Sequence, residues 1–397
     1  MPMRILIIGP IPPKFSGPSF GGIATHIEGL SSSLVNKNHE VSLWYHKPQK
    51  KQFSGNVMII QNSFFTFLLS FFVVLSCVFK KELCYLTFKQ RVLLGFQTYR
   101  LRRILKKNVY DCVHIHSLHN TSAISFQFIS KQICPPIIIS DHGFWQDSTA
   151  SLLDSNSHKK LKAVVKQCEK VIYISNYAKQ KHLNIDFGQL NKLIKIKNPI
   201  VVVDEIEKKE QSKDVKSIFF NGLTESLKIK QLHVLLEAIQ EDDFLCNNVK
   251  VIAIANDDAR NYVAKNKFSF NIELHSSMAW DKVKELYLQS HLFVLPSKSE
   301  SFGLVYLEAL FFGLPIIAFE DVFNEFQSNI SEYIGEPFNS KQETIVQLGN
   351  KIKKALNTPF NYTSVYKALK KEYNWEENII YYEKIYKEIK NKGLEYE

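Results

Sequence analysis

The sequence predicts an α/β protein of two parallel-sheet domains whose ligand rims face each other across an interdomain cleft. Three observations carry this reading. The chain has 397 residues, too many for one ordinary core. Short apolar runs alternate with helical stretches, and this alternation occurs twice. Between the two series lies Asp204 to Lys216, a charged stretch poor in apolar residues that reads as a linker. The expected first domain spans 1–200, the second 201–374, and a terminal helix 375–397.

The first domain opens on the apolar strand Arg4 to Gly9, followed by a loop rich in Pro, Gly and Ser. Gly21 and Gly22 start a helix that runs to Leu34, with Ile23, Ile27, Leu30 and Leu34 on one face. Val41 to Tyr45 is the next strand, and parallel pairing is expected. A glycine pair at a helix start offers a phosphate an approach, although loops use glycine more often for turns. Further strands are expected at Val57 to Ile60, Cys112 to His116, Ile137 to Ser140, Val171 to Ile174 and Leu193 to Ile196. Ligands of such sheets bind outside the carboxyl ends of the strands. That rule puts His116, His142 with Gly143, and Ser175 with Asn176 on one rim.

The Phe-rich stretch Phe64 to Phe79 carries no charge and precedes a basic segment from Lys80 to Lys107. It is shorter than the roughly 20 apolar residues that span a bilayer. Two readings stay open: a helix buried or facing a partner, or a segment docked on an anionic membrane surface.

The second domain repeats the alternation at Ser217 to Phe220, Val249 to Ala255, Ile272 to Leu274, Leu292 to Leu295 and Ile316 to Phe319. Lys228 and Lys230 follow Gly222, with a helix expected from about Lys230 to Ile239. Pro296 to Glu308 then reads as loop and helix start, the helix beginning near Phe302. The backbone N–H groups of Phe302, Gly303 and Leu304 would form a seat for a phosphate. Glu300 and Glu308 flank that seat, and carboxylates accept hydrogen bonds from sugar hydroxyls. Spacing alone leaves open a second reading, a buried αβ unit with two incidental glutamates. Trp375 to Ile389 is an amphipathic, aromatic helix expected to cross back towards the first domain.

Composition narrows the classes. Hydrophobic residues make up 45% and charged residues 22%, so the chain is globular. The six cysteines are scattered without C-x2-C spacing, which indicates neither zinc nor disulfides and fits a reducing cytoplasm. Met3 to Gly9 lacks the basic and cleavable flanks of a signal peptide. The net charge of +11 is spread over dispersed lysines, and no nucleic-acid motif accompanies it. No G-x-G-x-x-G follows the first strand and no P-loop is present, which argues against a dinucleotide dehydrogenase and a P-loop ATPase. A glycoside hydrolase needs two carboxylates flanking one bond, whereas Glu300 and Glu308 straddle a helix start. No D-x-D triad and no histidine–carboxylate cluster has metal-ligand spacing, so no metal is expected. Lysines and a helix start can stabilise a leaving diphosphate instead.

Motifs in this order resemble the retaining glycosyltransferases of family 4 (glycosyltransferase group 1), over nearly the whole chain. The strongest piece, Leu286 to Pro315, is similar to the family's E-x7-E region. Others are Gly21 to His26, Val113 to His116, Asp141 to Gly143, Tyr173 to Asn176 and Lys230 to Ala238. The resemblance implies the B-type fold of two facing Rossmann-like domains, the first on the acceptor side and the second holding the nucleotide sugar. It implies that Glu308 binds the nucleotide ribose and Glu300 contacts the donor sugar. The backbone of Phe302, Gly303, Leu304 and Val305 would hold sugar and diphosphate. Lys230 would bind the diphosphate, and Gly21 and Gly22 would let the first domain approach it. His142 would face the transferred sugar towards the acceptor, with His116 on the acceptor side. Glu300 and His142 are the residues assigned nearest the chemistry.

Four positions depart from that pattern. Leu223 follows Gly222 where Gly-Arg is usual, so the arginine's contribution to diphosphate binding is either missing or taken by Lys228. Gln231 replaces the glycine after the lysine. Asn198-Pro199 replaces Asn-Gly, and Asn256-Asp257-Asp258 replaces a glycine-rich turn. The expected activity is metal-independent transfer of a sugar from a nucleotide diphosphate to a glycan acceptor. A lipid-linked acceptor would fit the Phe-rich stretch and cell-surface polysaccharide synthesis, with the protein cytoplasmic or peripheral at the inner face of the membrane. The alternatives are a sugar-nucleotide epimerase of the same architecture and a nucleotide-sugar binding protein without turnover.

Overall fold

The computed structural model describes residues 2–19, 21–46, 53–54, 56–60, 62, 68–118, 121–142, 155–184, 190–201, 205–206 and 215–394. Gly143, residues 64–67 of the Phe-rich stretch and residues 204 and 207–214 of the expected linker lie outside them. The chain divides into two compact units, Met1–Val201 with Trp375–Glu397, and Val202–Asn374.

The first unit is built on β1 (Arg4–Ile8), β2 (Glu40–Trp44), β3 (Phe53–Ser54), β4 (Val57–Ile60), β5 (Cys112–His116), β6 (Ile137–Asp141), β7 (Lys170–Tyr173) and β8 (Leu193–Lys195). Their order in the sheet is β3-β4-β2-β1-β5-β6-β7-β8. Every pairing is parallel except that of β3 with β4. Alternation along the strands sorts side chains into two cores. Ile5, Ile7, Val41 and Leu43 pack with the helix Gly22–Asn36 and the terminal helix Trp375–Leu394. Leu6, Ile8, Val113 and Ile115 pack with the helices Phe71–Phe79 and Phe88–Lys107. Burial on both faces is why these strands read as continuous apolar runs.

The terminal helix belongs to this first unit. Ile379, Tyr382, Ile385, Tyr386 and Ile389 enter its core, and the Tyr386 hydroxyl meets His114 Nδ1 at 2.7 Å. Gly29 lets it dock: a Cβ there would stand 2.0 Å from Trp375 Nε1. The Phe-rich helix packs one side on the helix Phe88–Lys107, where a Cβ at Gly95 would lie 2.5 Å from Val74 Cα. Phe71, Phe72 and Phe79 stay exposed on it, at 57, 81 and 78%. Among the described residues no helix is long and apolar enough to cross a membrane.

The second unit holds β9 (Lys216–Asn221), β10 (Val249–Ile254), β11 (Ile272–His275), β12 (Leu292–Val294), β13 (Ile316–Phe319) and β14 (Gly335–Phe338). The order is β11-β10-β9-β12-β13-β14, all parallel. The sequence reading missed β14. It contains Pro337 and lies at the sheet edge, where a proline costs no ladder bond. Each unit is thus Rossmann-like. The strand order reverses between β1 and β5 in one sheet, and between β9 and β12 in the other. A crevice opens at the carboxyl ends of the strands at such a point.

Candidate functional site

In the second unit the two connections that leave β9 and β12 carry the predicted residues. The helix after β12 is Leu304–Phe311, starting two residues later than the spacing suggested. Gly303 takes a left-handed N-cap, φ 68°, and Phe302 turns inward against Phe326 and Tyr373. A Cβ at 303 would meet the Tyr306 ring at 2.4 Å. Tyr306 is itself pinned, donating to the Leu295 carbonyl at 2.8 Å and accepting from the Phe319 N–H at 3.2 Å. The N–H groups of the first helical turn therefore begin at Leu304 and Val305, the start of the anion seat.

Glu300 is 3% exposed. Its carboxylate accepts from Ser297 Oγ at 2.8 Å and pairs with Lys230 Nζ at 2.5 Å. Lys230 lies on the connection after β9, because the following helix is Leu232–Gln240 and does not include it. Lys298 N–H donates to the Ile229 carbonyl at 2.9 Å, so the two connections are stitched together across the switch point. Gly222 is needed there, since a Cβ would lie 2.7 Å from the Phe220 ring and 3.0 Å from Lys230 Cβ. Lys228 is exposed, with no ion pair among the described residues.

Gln231, the departure after Lys230, holds φ 59° and ψ 45°, a conformation that glycine adopts without cost. It is buried, and its Oε1 has no hydrogen-bond partner. Gln231→Gly is therefore expected to stabilise the second unit by about 0.5–1 kcal/mol in urea unfolding, the relieved strain exceeding the added chain entropy.

Glu308 lies one turn into the helix Leu304–Phe311 and accepts from the Tyr287 hydroxyl at 2.8 Å. Burial pushes the Glu308 carboxyl up to about 7, and the Tyr287 hydrogen bond restrains that rise. Burial and then the Glu308 carboxylate hold the Tyr287 phenol well above its usual range. Tyr287 is 21 residues from Glu308 in sequence, and no spacing rule marks it.

In the first unit His116 and His142 come together at the ends of β5 and β6. His116 Nδ1 stands 2.9 Å from His142 Nε2. His26 packs its ring against both, at centroid distances of 5.4 and 4.6 Å. Its Nδ1 is held by Asn198 Oδ1 at 2.5 Å, which gives a local role to the asparagine that the chain keeps where Pro199 replaces the usual glycine. Beneath them His114 is fixed by Tyr386 and by Ser140, each at 2.7 Å. Burial lowers all four imidazoles: His26 to about 4, His114 to about 3, and His116 and His142 well below the usual value. All four are neutral near pH 7.

The ligating nitrogens of His26, His116 and His142 lie within 4.8 Å of one another, a grouping that could hold a metal ion. The three residues come from distant segments, so sequence spacing could not reveal it. In the structure His116 and His142 bond directly to each other. Gly21 caps the helix Gly22–Asn36 at φ 99°, exposed, with nothing within 4 Å of where a Cβ would stand. The sequence reading assigned no role to Tyr287, Ser297, His26 or Asn198.

Two Rossmann-like units, with charged residues at one switch point and imidazoles at the other, define the class of the B-type glycosyltransferase fold. Residues 20–200 match the family model "Glycosyltransferase Family 4" and residues 201–379 the model "Glycosyl transferases group 1". The chain belongs to the group 1 glycosyltransferases. It is 23% identical to an uncharacterised glycosyltransferase of Methanocaldococcus jannaschii, over 97% of this chain and 99% of that one. Among solved structures it is similar to the lipopolysaccharide outer core galactosyltransferase WaaB, with a TM-score of 0.66 and 14% identity, covering 96% of this chain and 100% of that one. It is also similar to sucrose-phosphate synthase of Thermosynechococcus elongatus, with a TM-score of 0.71 and 14% identity, covering 98% and 99%.

Proposed function

We propose that this protein moves a sugar from a nucleotide diphosphate donor to a glycan acceptor, with retention of configuration and without a metal. The observation that carries this is the Lys230–Glu300 pair beside the helix start at Leu304. A cation and free N–H groups suit a diphosphate, and the carboxylates suit sugar hydroxyls. Lys230 and Lys228 take the diphosphate with the N–H groups of Leu304 and Val305, and the backbone at Phe302 and Gly303 lines its path. Glu308 takes the ribose diol and Glu300 the donor sugar. Gly21 and Gly22 give the backbone room to approach, His142 faces sugar hydroxyls, and His116 lies towards the acceptor. The departing diphosphate accepts the acceptor's proton on the face it leaves, so no side chain is assigned as nucleophile.

The test is nucleoside diphosphate release over a donor panel, in the presence of a chelator. Glu300→Ala and Glu308→Ala are expected to lower turnover by about a hundredfold or more. Wild-type rates in both would remove the site assignment. Conversion of a donor without any acceptor would favour an epimerase, and binding without turnover a binding protein.

The acceptor is proposed to be lipid-linked and the protein to work at the cytoplasmic face of a membrane, in cell-surface polysaccharide synthesis. Phe71, Phe72 and Phe79 are exposed next to a basic segment, and a protein of similar fold acts on lipopolysaccharide. Co-sedimentation with anionic vesicles is expected, weakening as salt rises. Sedimentation unchanged on replacing Phe72 and Phe79 with serine would count against it.

A further inference from the structure

The switch point of the first sheet holds a cavity of about 320 Å³, at the small end of the usual range for ligand pockets. Its walls include Tyr45, Gln97, His116, Ser117, Thr121 and Lys160. Three features indicate that it is built for a ligand. Two of the residues that line it, Gln97 and His116, each have a buried polar atom, Nε2, with no hydrogen-bond partner. Gln97 is oriented, because its Oε1 accepts from Thr121 Oγ1 at 2.7 Å, which leaves the amide nitrogen as a committed donor. A buried donor left unpaired is costly and calls for a partner. Ser117 holds φ 80° immediately after His116, a left-handed backbone that serine rarely adopts and that tends to persist where function requires it. Lys160 brings a positive charge to the lining and has no ion-pair partner among the described residues. Burial lowers its pKa, which a bound anion would oppose.

A cation and an amide donor select a group rich in acceptor oxygens and negatively charged. An imidazole beside them suits a hydroxyl. We propose that this cavity binds the phosphoryl group of a sugar phosphate, with its oxygens on Lys160 and Gln97 Nε2 and a sugar hydroxyl on His116 Nε2. It rests on the transfer reading in naming that ligand as the acceptor. The phosphoryl group could belong to a soluble sugar phosphate or to a lipid-linked one. Gln97 comes from the helix Phe88–Lys107, which packs through Gly95 on Val74 of the helix Phe71–Phe79, and the phenylalanines left exposed on that second helix give a lipid chain a place to lie.

Calorimetric titration of the full chain with glucose 1-phosphate, with glucose, and with neutral vesicles carrying a polyprenyl phosphate tests this. Glucose 1-phosphate is expected to bind and glucose is not. Lys160→Met should weaken that binding at least tenfold, and Lys160→Arg should retain it. Lys230→Met reports on the donor site of the second unit, where a sugar phosphate could also lodge: a loss confined to that variant would place the phosphate there. Binding to the polyprenyl phosphate vesicles alone, still dependent on Lys160, supports the cavity and identifies the phosphate as lipid-borne. Affinity unchanged in Lys160→Met, affinity lost only in Lys230→Met, or no binding of either phosphate overturns the proposal. The transfer reading fails separately, if the wild-type chain turns over no nucleotide sugar while Lys160-dependent phosphate binding persists.

Discussion

Lys230→Met is expected to abolish turnover and to destabilise the second unit by about 3 kcal/mol, the usual cost of stripping one partner from a buried ion pair. Lys230 keeps only 16% of its side-chain surface and Glu300 3%, so the carboxylate left behind is out of reach of bulk water. Ser297 Oγ would still donate to it, but a hydroxyl does not neutralise charge. The double variant Lys230→Met, Glu300→Leu separates the two roles of the pair. Removing both charges from a closed pocket is often nearly neutral, so most of the stability should return. Turnover should not, because the diphosphate has lost its cation and the donor sugar its carboxylate. Urea unfolding and nucleoside diphosphate release, measured on all three variants, give the double-mutant cycle. A double variant no more stable than Lys230→Met would show that the pair is not the source of the loss. A double variant with wild-type turnover would remove both residues from the site.

The parallel sheets were legible in the sequence because both of their faces are buried. Ile5 to Ile8 and Ile316 to Phe319 are apolar at every position, and nothing else so short and continuous suits a central strand. β14 was not legible, because Gly335 and Pro337 interrupt the apolar pattern and only the sheet edge tolerates them. Glu300, Lys230 and Glu308 were candidates in the sequence because carboxylates and lysines next to glycine turns are visible in one dimension. Their partners were not. Ser297 is an ordinary loop serine, and Tyr287 reads as one more apolar position of its helix. The helix start at Leu304 was read two residues early, since a glycine gives no sign in sequence of whether it continues a helix or caps it. The imidazole cluster assembles His26, His114, His116 and His142 from a helix and two neighbouring strand ends. Only the β5–β6 register, which sets His116 opposite Ser140, brings the last two within hydrogen-bond reach.

Glu308 should make both the stability and the donor affinity depend on pH, with opposite slopes. Its carboxyl ionises near 4.5 in an unfolded chain and near 7 in the fold, because burial disfavours the charge. The folded state therefore holds the extra proton between those values. The stability this contributes is complete below about pH 4.5 and is lost as pH rises through about 7, an amount on the order of 3 kcal/mol at most. The buried histidines act in the reverse sense, since neutral imidazoles lose stability as pH falls below their unfolded value. They are common to wild type and Glu308→Gln, so the difference between the two unfolding profiles isolates the glutamate. That difference should fall as pH rises from about 5 to 8. A ribose diol donates hydrogen bonds, so it prefers the ionised carboxylate, and donor affinity should rise over the same interval with release of a proton. Glu308→Gln should bind more weakly and without that slope. Tyr287→Phe removes the hydroxyl that donates to the carboxylate and leaves the glutamate in place. Its affinity profile should keep the slope but shift to higher pH, because one support of the ionised form is gone. A packing role for Tyr287 would lower the unfolding midpoint and leave the inflection where it was, and calorimetric titration at several pH values distinguishes the two.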